Sequence, residues 1–269
     1  MAPKYSVGQK LDFLGQPVIV KAVEPCFADG AIYLCAVGDV ALPMRFSEGD
    51  LAPGRSTGTA PRMFKQRIPH LLVVDDFYED PDHIRAIALV QHFGANERFY
   101  KGRRTAEHFL WPHLREEFER LLGVKVVDWL QQSANGCFQI TGFEDPLVWH
   151  SDQQSVAAAI YLTPDAPIGA GTSFWRDRIH GVRRPPNHPL EAHRFGDDLS
   201  RAAAVDQIYT AHNVVHPENW ELVDRVGAVY NRLVIWDAQL IHSASSYQDI
   251  SGASADSSRL VQLFFFNIA

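Results

Sequence analysis

The chain has 269 residues, of which 46% are hydrophobic and 11% aromatic, so it can bury a sizeable core and is not a disordered protein. Its formal net charge of -7 disfavours a general nucleic-acid binder, because such proteins are usually basic. The three cysteines form no closely spaced pair, so the sequence supports neither a structural zinc site nor a disulfide framework; the cysteines are typical of free thiols in a reducing compartment.

Residues 1–60 contain short apolar runs, such as PVIVKAV and AIYLCAVG, that are broken by glycine, proline and aspartate. This pattern predicts a small β-rich N-terminal module. Residues 48–62 have the composition of a linker, so we place a boundary after residue 60 and expect the main domain to span 61–269. Neither a secretory signal nor a long uncharged run is present, so we expect a cytoplasmic protein without a membrane partner.

The main domain opens with a predicted strand over residues 70–80, followed by two predicted helices. The first helix, 81–93, begins with proline, places its apolar residues near one face and has Asp80 available as its N-cap. The second helix, 111–123, is amphipathic and is expected to end at Gly123.

From residue 124 onward, short apolar runs separated by turn residues predict a series of strands without long helices between them. This favours an antiparallel sandwich or barrel such as a jelly roll, so the fold class is mainly β with flanking helices (α+β). The runs are VKVVDWLQQS, CFQITGF, VAAAIYLTP, GTSFWRD, AVYNRLVIWD and SRLVQLFFFNIA.

An insertion over residues 177–222 interrupts these strands. It is rich in histidine, proline and arginine and contains one predicted helix around 200–212. Insertions of this length inside a compact domain are often lids or binding loops. A surface decoration packed on the outside of the barrel is the alternative.

Three residues have the chemistry of a metal site. His150 and Asp152 are two residues apart in a predicted strand, where side chains at this spacing point to the same face. His242 follows another predicted strand and a turn. Two imidazoles and one carboxylate hold non-haem iron on one side and leave the other side open. A chance HxD motif is the alternative, and other histidines could supply ligands from the insertion: His180, His188, His193, His212 and His216.

The order of these motifs resembles the iron(II)- and 2-oxoglutarate-dependent dioxygenases, in particular the prolyl-hydroxylase-like branch. The shared pattern is HxD in WHSD, a Tyr-Leu strand in IYLT, a glycine turn in PIGAGTSFWR, the distal histidine in LIHSAS and an arginine on the last strand in SSRLVQLFFF. The segment HLLVVDDFYEDPDHIRAIA is similar to the N-terminal strand and helix of that branch. The resemblance covers roughly residues 70–269, leaves residues 1–60 outside, and implies a double-stranded β-helix (jelly-roll) core.

The resemblance also assigns roles to particular residues. His150, Asp152 and His242 would be the iron ligands and the catalytic centre, and Arg259 would bind the distal carboxylate of 2-oxoglutarate. Tyr161 matches a position that can contact the same cosubstrate, although a core aromatic is an equal interpretation. Two departures concern this pocket: 17 residues separate His242 from Arg259, which is longer than usual, and Val261 stands where the family often has serine or threonine.

The implied activity is hydroxylation of an unactivated C–H bond with iron(II), dioxygen and the cosubstrate 2-oxoglutarate. The substrate would be a small molecule, an amino acid or a peptide, and an anionic group would suit the arginines within 98–104 and 176–201. Nucleic acid is not an expected partner, and the oligomeric state is left open. The alternatives are a cupin-like isomerase or hydrolase with the same kind of fold, and a binding module without turnover.

Overall fold

The computed structural model describes residues 3–13, 16–26, 30–37, 39–46, 51–53, 69–95, 102–210, 213–252 and 254–269. The chain divides into two compact units, residues 1–67 and 68–269. The predicted boundary after residue 60 falls in the stretch 54–68, outside the described residues. No helix in the described part of the chain is both long and apolar enough to cross a membrane.

The first unit contains an antiparallel sheet with the strand order β4-β3-β2-β1-β5. Its core is formed by tyrosine, phenylalanine and aliphatic side chains, including Tyr5, Tyr33 and Phe46. Part of the predicted linker is wrong, because β5 pairs with β1 instead of lying in an irregular connection. The strands are β1 (Lys10–Phe13), β2 (Gln16–Cys26), β3 (Gly30–Val37), β4 (Val40–Phe46) and β5 (Ala52–Pro53).

The second unit is mainly β, with three α-helices among its described residues. The helices are α1 (Pro81–Leu89), α2 (Leu114–Leu122) and α3 (Asp198–Ile208). The strands are β6 (Leu71–Val74), β7 (Gly94–Ala95), β8 (Arg103–Arg104), β9 (Val126–Val127), β10 (Phe138–Thr141), β11 (Val156–Tyr161), β12 (Thr172–Asp177), β13 (Trp220–Val226), β14 (Leu233–Asp237), β15 (His242–Ala244) and β16 (Arg259–Ile268).

These strands form a large and a small antiparallel sheet. The large sheet has the order β6-β14-β11-β16-β10-β8-β7, and β9 pairs with the end of β16. The small sheet has the order β13-β12-β15, and an isolated bridge between His150 and His242 adds the segment around His150 to its β15 edge. The chain therefore alternates between the sheets at several points along its length.

The large sheet is buried on both faces at its centre, which explains why β11 and β16 are apolar almost throughout. All six residues of β11 are buried. Val156, Ala158 and Ile160 pack in a cluster with residues of α1 and α2, whereas Ala157 and Ala159 face the small sheet. Because strand side chains alternate between faces, one continuous apolar run supplies two hydrophobic layers.

The helix ends follow the capping residues that the sequence contains. The Asp80 carboxylate accepts a hydrogen bond from the His83 backbone N–H at 3.0 Å, which confirms its predicted N-cap role. Gly123 ends α2 with a φ of 69°, a left-handed conformation that favours glycine. The predicted segments overlap all three helices but are longer than the helices observed.

Several predicted strand boundaries are wrong. The run VKVVDWLQQS contributes only the two residues of β9, and the next residues form turns. The predicted insertion 177–222 is slightly longer than the observed one, because Asp177 still belongs to β12 and β13 begins at Trp220. The sequence did not predict the strand WELVDRV. Its adjacent apolar residues Leu222 and Val223 interrupt the alternation of apolar and polar residues, and both are exposed in the structure.

Candidate metal centre

His150 and His242 lie side by side because their backbones are paired. The His150 N–H donates to the His242 carbonyl at 3.0 Å, and the His242 N–H donates to the His150 carbonyl at 2.8 Å. The two imidazole ring centroids are 4.3 Å apart. Asp152 follows the bridge in an irregular segment, so the prediction that it shares a regular strand with His150 is wrong. Its N–H donates to the Ala238 carbonyl at 2.8 Å, which holds it beside the same site.

Backbone carbonyls fix the orientation of both imidazoles. His150 Nδ1 lies 2.9 Å from the Val148 carbonyl oxygen, and His242 Nδ1 lies 2.7 Å from the Leu240 carbonyl oxygen. A carbonyl only accepts, so each Nδ1 must carry the proton and donate it. In the neutral ring, the lone pair is then on Nε2, the atom available to a metal.

The two Nε2 atoms converge on the carboxylate. His150 Nε2 is 3.7 Å from Asp152 Oδ1, and His242 Nε2 is 3.3 Å from Asp152 Oδ2. One ligand atom from each of the three residues lies within 4.8 Å of the others. Within the described parts of the chain, this is the one cluster of three or more such residues that could hold a metal. The structure thus brings together the three residues that the sequence suggested.

A cavity of about 80 Å³ extends from the three ligands between the two sheets. Arg259, also a predicted site residue, lines it and is only 5% exposed. Arg259 donates from Nε to the Ala170 carbonyl at 2.5 Å and from a terminal nitrogen to the Gly171 carbonyl at 3.4 Å. It forms no ion pair with any described carboxylate, so a buried positive charge faces the cavity without an anionic partner.

Tyr161 and Thr172 lie beside this guanidinium. The Arg259 guanidinium carbon is 5.3 Å from the Tyr161 ring centroid, and the Tyr161 hydroxyl is 2.7 Å from Thr172 Oγ1. Burial raises the pKa of Tyr161, and the Arg259 charge offsets only part of this increase. The tyrosine is therefore a neutral hydrogen-bonding group. It is also part of the core, as one of the two sequence interpretations of Tyr161 expected.

A family model described as "Family of unknown function (DUF6445)" matches residues 60–265. The chain belongs to this family.

No curated protein sequence matches this DUF6445 chain. Among solved structures, it is similar to the non-heme iron oxygenase OrfP in complex with Fe, with 12% identity, a TM-score of 0.37 and 74% of each chain covered. It is also similar to the Fe(II)/(alpha)ketoglutarate-dependent dioxygenase TqaL, with 12% identity, a TM-score of 0.32, and 74% of this chain and 82% of that chain covered. Similarity at these TM-scores says nothing about what the DUF6445 chain itself binds.

Aromatic side chains around the ligands fall into two groups. Trp236 and Phe174 lie near His242, with ring-centroid distances of 5.2 Å and 6.5 Å, and Trp236 lines the cavity. Trp149 and Trp175 pack instead against residues of the insertion and of the strand that follows it. All four residues lie close to the site residues in the sequence. Of these four, only Trp236 and Phe174 form apolar surroundings of the site.

Other residues of the cavity were not assigned to it from the sequence. Arg104, Gln139, Thr172 and Tyr247 all line it. Arg104 belongs to the basic run 98–104, but the run itself does not reveal which arginine faces inward. Pairing of β8 with β10 decides this, because it places Arg104 opposite the inward-facing Gln139.

The insertion lines a second cavity of about 480 Å³ that also reaches Asp152. Asn187, His188 and Tyr209 contribute from the insertion, and the Tyr209 hydroxyl lies 3.0 Å from Ser151 Oγ. Burial raises the pKa of Tyr209 to about 12, so its hydroxyl stays neutral. The insertion therefore lies beside the candidate ligand Asp152, as its sequence position suggested.

Proposed function

We propose that this protein is an iron(II)- and 2-oxoglutarate-dependent oxygenase that hydroxylates an unactivated C–H bond of a small molecule, an amino acid or a peptide. The observation that carries the proposal is a single cavity with two oriented imidazoles and a carboxylate at one position and the buried, uncompensated Arg259 at another. The first group suits a divalent metal, and the second suits an anionic ligand of that metal.

The strand order supports a double-stranded β-helix. After β10 in the large sheet, the chain visits the small sheet at His150, the large sheet at β11, and the small sheet at β12 and β13. It then returns to the large sheet at β14, the small sheet at β15 and the large sheet at β16. This alternation is the winding expected of a jelly roll, and it places His150, His242 and Arg259 around one interior.

The ligand set fits ferrous iron. Two neutral imidazoles and one carboxylate supply three donors and leave further coordination positions open, as in non-haem iron oxygenases. His150 and His242 each have a protonated Nδ1 bound to a carbonyl, so their Nε2 lone pairs need no rearrangement before they bind a metal. Asp152 neutralises half of the metal charge.

Arg259 is suited to hold the distal carboxylate of 2-oxoglutarate. A planar guanidinium offers parallel N–H donors to a carboxylate, and the contact is strong when both groups are shielded from water. The Tyr161 and Thr172 hydroxyls lie beside it as neutral hydrogen-bonding groups. Thr172, which also lines the cavity, is a candidate for the hydroxyl that Val261 does not supply.

The remaining contributions of the chain are positioning and exclusion of water. Iron(II) and 2-oxoglutarate, when bound, would allow dioxygen to oxidise the substrate: one oxygen atom goes into succinate as 2-oxoglutarate loses carbon dioxide, and the other becomes the new hydroxyl group. Phe174 and Trp236 keep the surroundings of His242 apolar. The insertion, with its own cavity at Asp152, is placed to contact the substrate and to close over it.

An anaerobic titration tests this function. Iron(II) should bind tightly, and the subsequent addition of 2-oxoglutarate should produce a weak visible metal-to-ligand absorption band. Exposure to air should then yield succinate in proportion to the 2-oxoglutarate consumed. A protein that binds zinc but gives neither the band nor succinate is instead one of the alternatives, a hydrolase or isomerase or a binding module without turnover, and the oxygenase proposal is then wrong.

A further inference from the structure

A second arginine shares the cavity with the candidate metal ligands. Arg104 lies on β8, which pairs with β10, whereas Arg259 lies on β16 on the other side of β10. Both arginines line the cavity that contains His150, Asp152 and His242. The cavity is thus bordered by two guanidinium groups that project from two strands of one sheet.

Arg104 is held in place by one hydrogen bond and one ring. Its Nε donates to Gln139 Oε1 at 2.6 Å, and its guanidinium carbon lies 6.0 Å from the Phe265 ring centroid. In the part of the chain that the structure describes, its terminal nitrogens have no hydrogen-bond partner and it forms no ion pair. Burial lowers the pKa of Arg104 and the charge of Asp152 counteracts this, yet arginine remains protonated in proteins.

The formal charges of the filled site leave Arg104 without compensation. A ferrous ion, the Asp152 carboxylate, the Arg259 guanidinium and the 2-oxoglutarate dianion sum to no net charge, and both histidines are neutral. Among the described residues, no other acidic side chain lines the cavity. One positive charge therefore remains at Arg104, and a half-buried charge of this kind is costly unless an opposite charge accompanies it.

We propose that Arg104 binds a carboxylate group of the substrate and so selects a substrate that carries a single negative charge near the oxidised carbon. This inference rests on the proposed function and adds the substrate class to it. Gln139 occupies Nε, so the two terminal nitrogens remain as a fork that matches the two oxygens of a carboxylate. A phosphate ester carries up to two charges, which one guanidinium does not balance.

Matched pairs of compounds test this selection. The panel consists of amino acids and dipeptides, each with its C-terminal amide, which has the same shape without the charge. Binding is measured by thermal stabilisation of protein loaded with zinc(II) and 2-oxoglutarate, where no turnover occurs, and succinate formation is measured separately with iron(II). The variants are Arg104→Gln and Arg103→Gln. Arg103 is the matched control because it is the exposed neighbour on the same strand, bonded to the Gly252 carbonyl.

In the wild-type protein and in Arg103→Gln, the acid of at least one pair should bind more tightly than its amide. Arg104→Gln should lose this preference, with an affinity for the acid lower by roughly thirty-fold, the ratio for a lost charge-assisted contact. Its affinity for 2-oxoglutarate should stay within about two-fold of wild type.

Three results would overturn the inference: no preference for the acid in any wild-type pair, an equal preference in Arg104→Gln, or a loss of 2-oxoglutarate affinity in Arg104→Gln. The last result would mean that Arg104 holds the cosubstrate. If the wild-type protein binds neither metal nor 2-oxoglutarate, the proposed function fails, and the same thermal panel on metal-free protein still decides whether Arg104 recognises a carboxylate.

Discussion

The large and small sheets of the second unit differ in how far their residues are buried and in what those residues contribute. The large sheet is covered on both faces, and its central strands β11 and β16 are almost entirely buried. In the small sheet, Leu222 and Val223 of β13 are 44% and 38% exposed, at the point where a bulge shifts the pairing between β12 and β13. The large sheet contributes most of the core, whereas the small sheet, with its bridged edge, presents the three candidate ligands. Stability and metal chemistry should therefore respond to different substitutions.

The largest effect should come from removing a ligand at the edge of the small sheet. His150→Ala leaves two donors, which cannot hold the metal against water, so metal affinity should fall on the order of 100-fold or more, beyond the typical cost of losing a mere supporting contact. Anaerobic iron(II) titration measures this, and the melting temperature of the metal-free protein should change little. His193→Ala, an exposed histidine of the insertion, is the control. Full activity and iron retention in His150→Ala would contradict the ligand assignment.

A substitution in the core of the large sheet should instead lower the stability of the protein. Phe264 is fully buried, with ring centroids 5.0 Å from Phe118 and 6.1 Å from Trp129. Phe264→Ala should lower the free energy of unfolding by about 3–5 kcal/mol, because it leaves a cavity between these rings. Leu222→Ala, at an exposed position of β13, should change the free energy of unfolding by no more than about 0.5 kcal/mol. Urea unfolding measures the stability of both variants. Equal losses of stability would contradict the inference that the large sheet contributes most of the core.

Arg259 tests whether the large sheet also contributes to ligand binding. Arg259→Ala should weaken 2-oxoglutarate binding by roughly thirty-fold or more, since a shielded charge-assisted contact is worth about 2–5 kcal/mol, while iron binding is retained. Arg232→Ala is the control, because Arg232 makes a two-point ion pair with Asp75 at 2.5 and 2.9 Å. Unchanged saturation by 2-oxoglutarate in Arg259→Ala would show that another basic residue holds the cosubstrate.

The insertion beside the small sheet should affect substrate coupling without affecting the metal. Residues 185–190 contain four residues that line the cavity at Asp152: Pro185, Asn187, His188 and Pro189. A Gly/Ser replacement of equal length preserves the Arg184–Asp237 ion pair and should leave iron and 2-oxoglutarate binding intact. The ratio of hydroxylated product to succinate should fall at least about ten-fold. An unchanged ratio would make the insertion a surface decoration.

The smallest predicted effect concerns a carboxylate at the end of β16. Asp128 accepts hydrogen bonds from the Asn267 backbone N–H at 2.8 Å, Asn267 Nδ2 at 2.7 Å and Gln132 Nε2 at 2.6 Å. Burial raises the pKa of Asp128, but these hydrogen bonds outweigh burial and hold the pKa below its usual value. Asp128→Asn keeps the left-handed backbone accessible and should lower stability by about 1–2 kcal/mol at neutral pH.

The pH dependence follows from the lowered pKa of Asp128. The charged carboxylate contributes its stability above the unfolded-state pKa of about 4, and this contribution is lost as the pH falls through the folded-state pKa. The difference in melting temperature between wild type and Asp128→Asn should therefore shrink on acidification. Asp206→Asn, at an exposed position of α3, is the control and should have the melting temperature of the wild type at both neutral and acidic pH. If the difference in melting temperature between wild type and Asp128→Asn does not change with pH, the charge of Asp128 does not contribute to stability.

The sequence by itself determined the features that depend on neighbouring residues. Asp80 and Gly123 mark helix ends through hydrogen bonds within a few residues, and β11 and β16 are apolar because both of their faces are buried. The sequence pattern selected His150, Asp152 and His242, whose side chains do lie close together, but it could not show that a bridge between the two histidine backbones brings them together.

Only the tertiary structure decided which of several similar residues face the interior. Arg232 and Arg259 are both basic residues near apolar strands, yet one pairs with Asp75 and the other is buried in the cavity. Arg103 and Arg104 are adjacent, and pairing between β8 and β10 directs only the second toward the site. The short strand β8 pairs with the distant strand β10, and β7 pairs in turn with β8, so their own composition carries little information about them. Contacts between residues far apart in the chain therefore decided the charge distribution of the site, which local patterns do not encode.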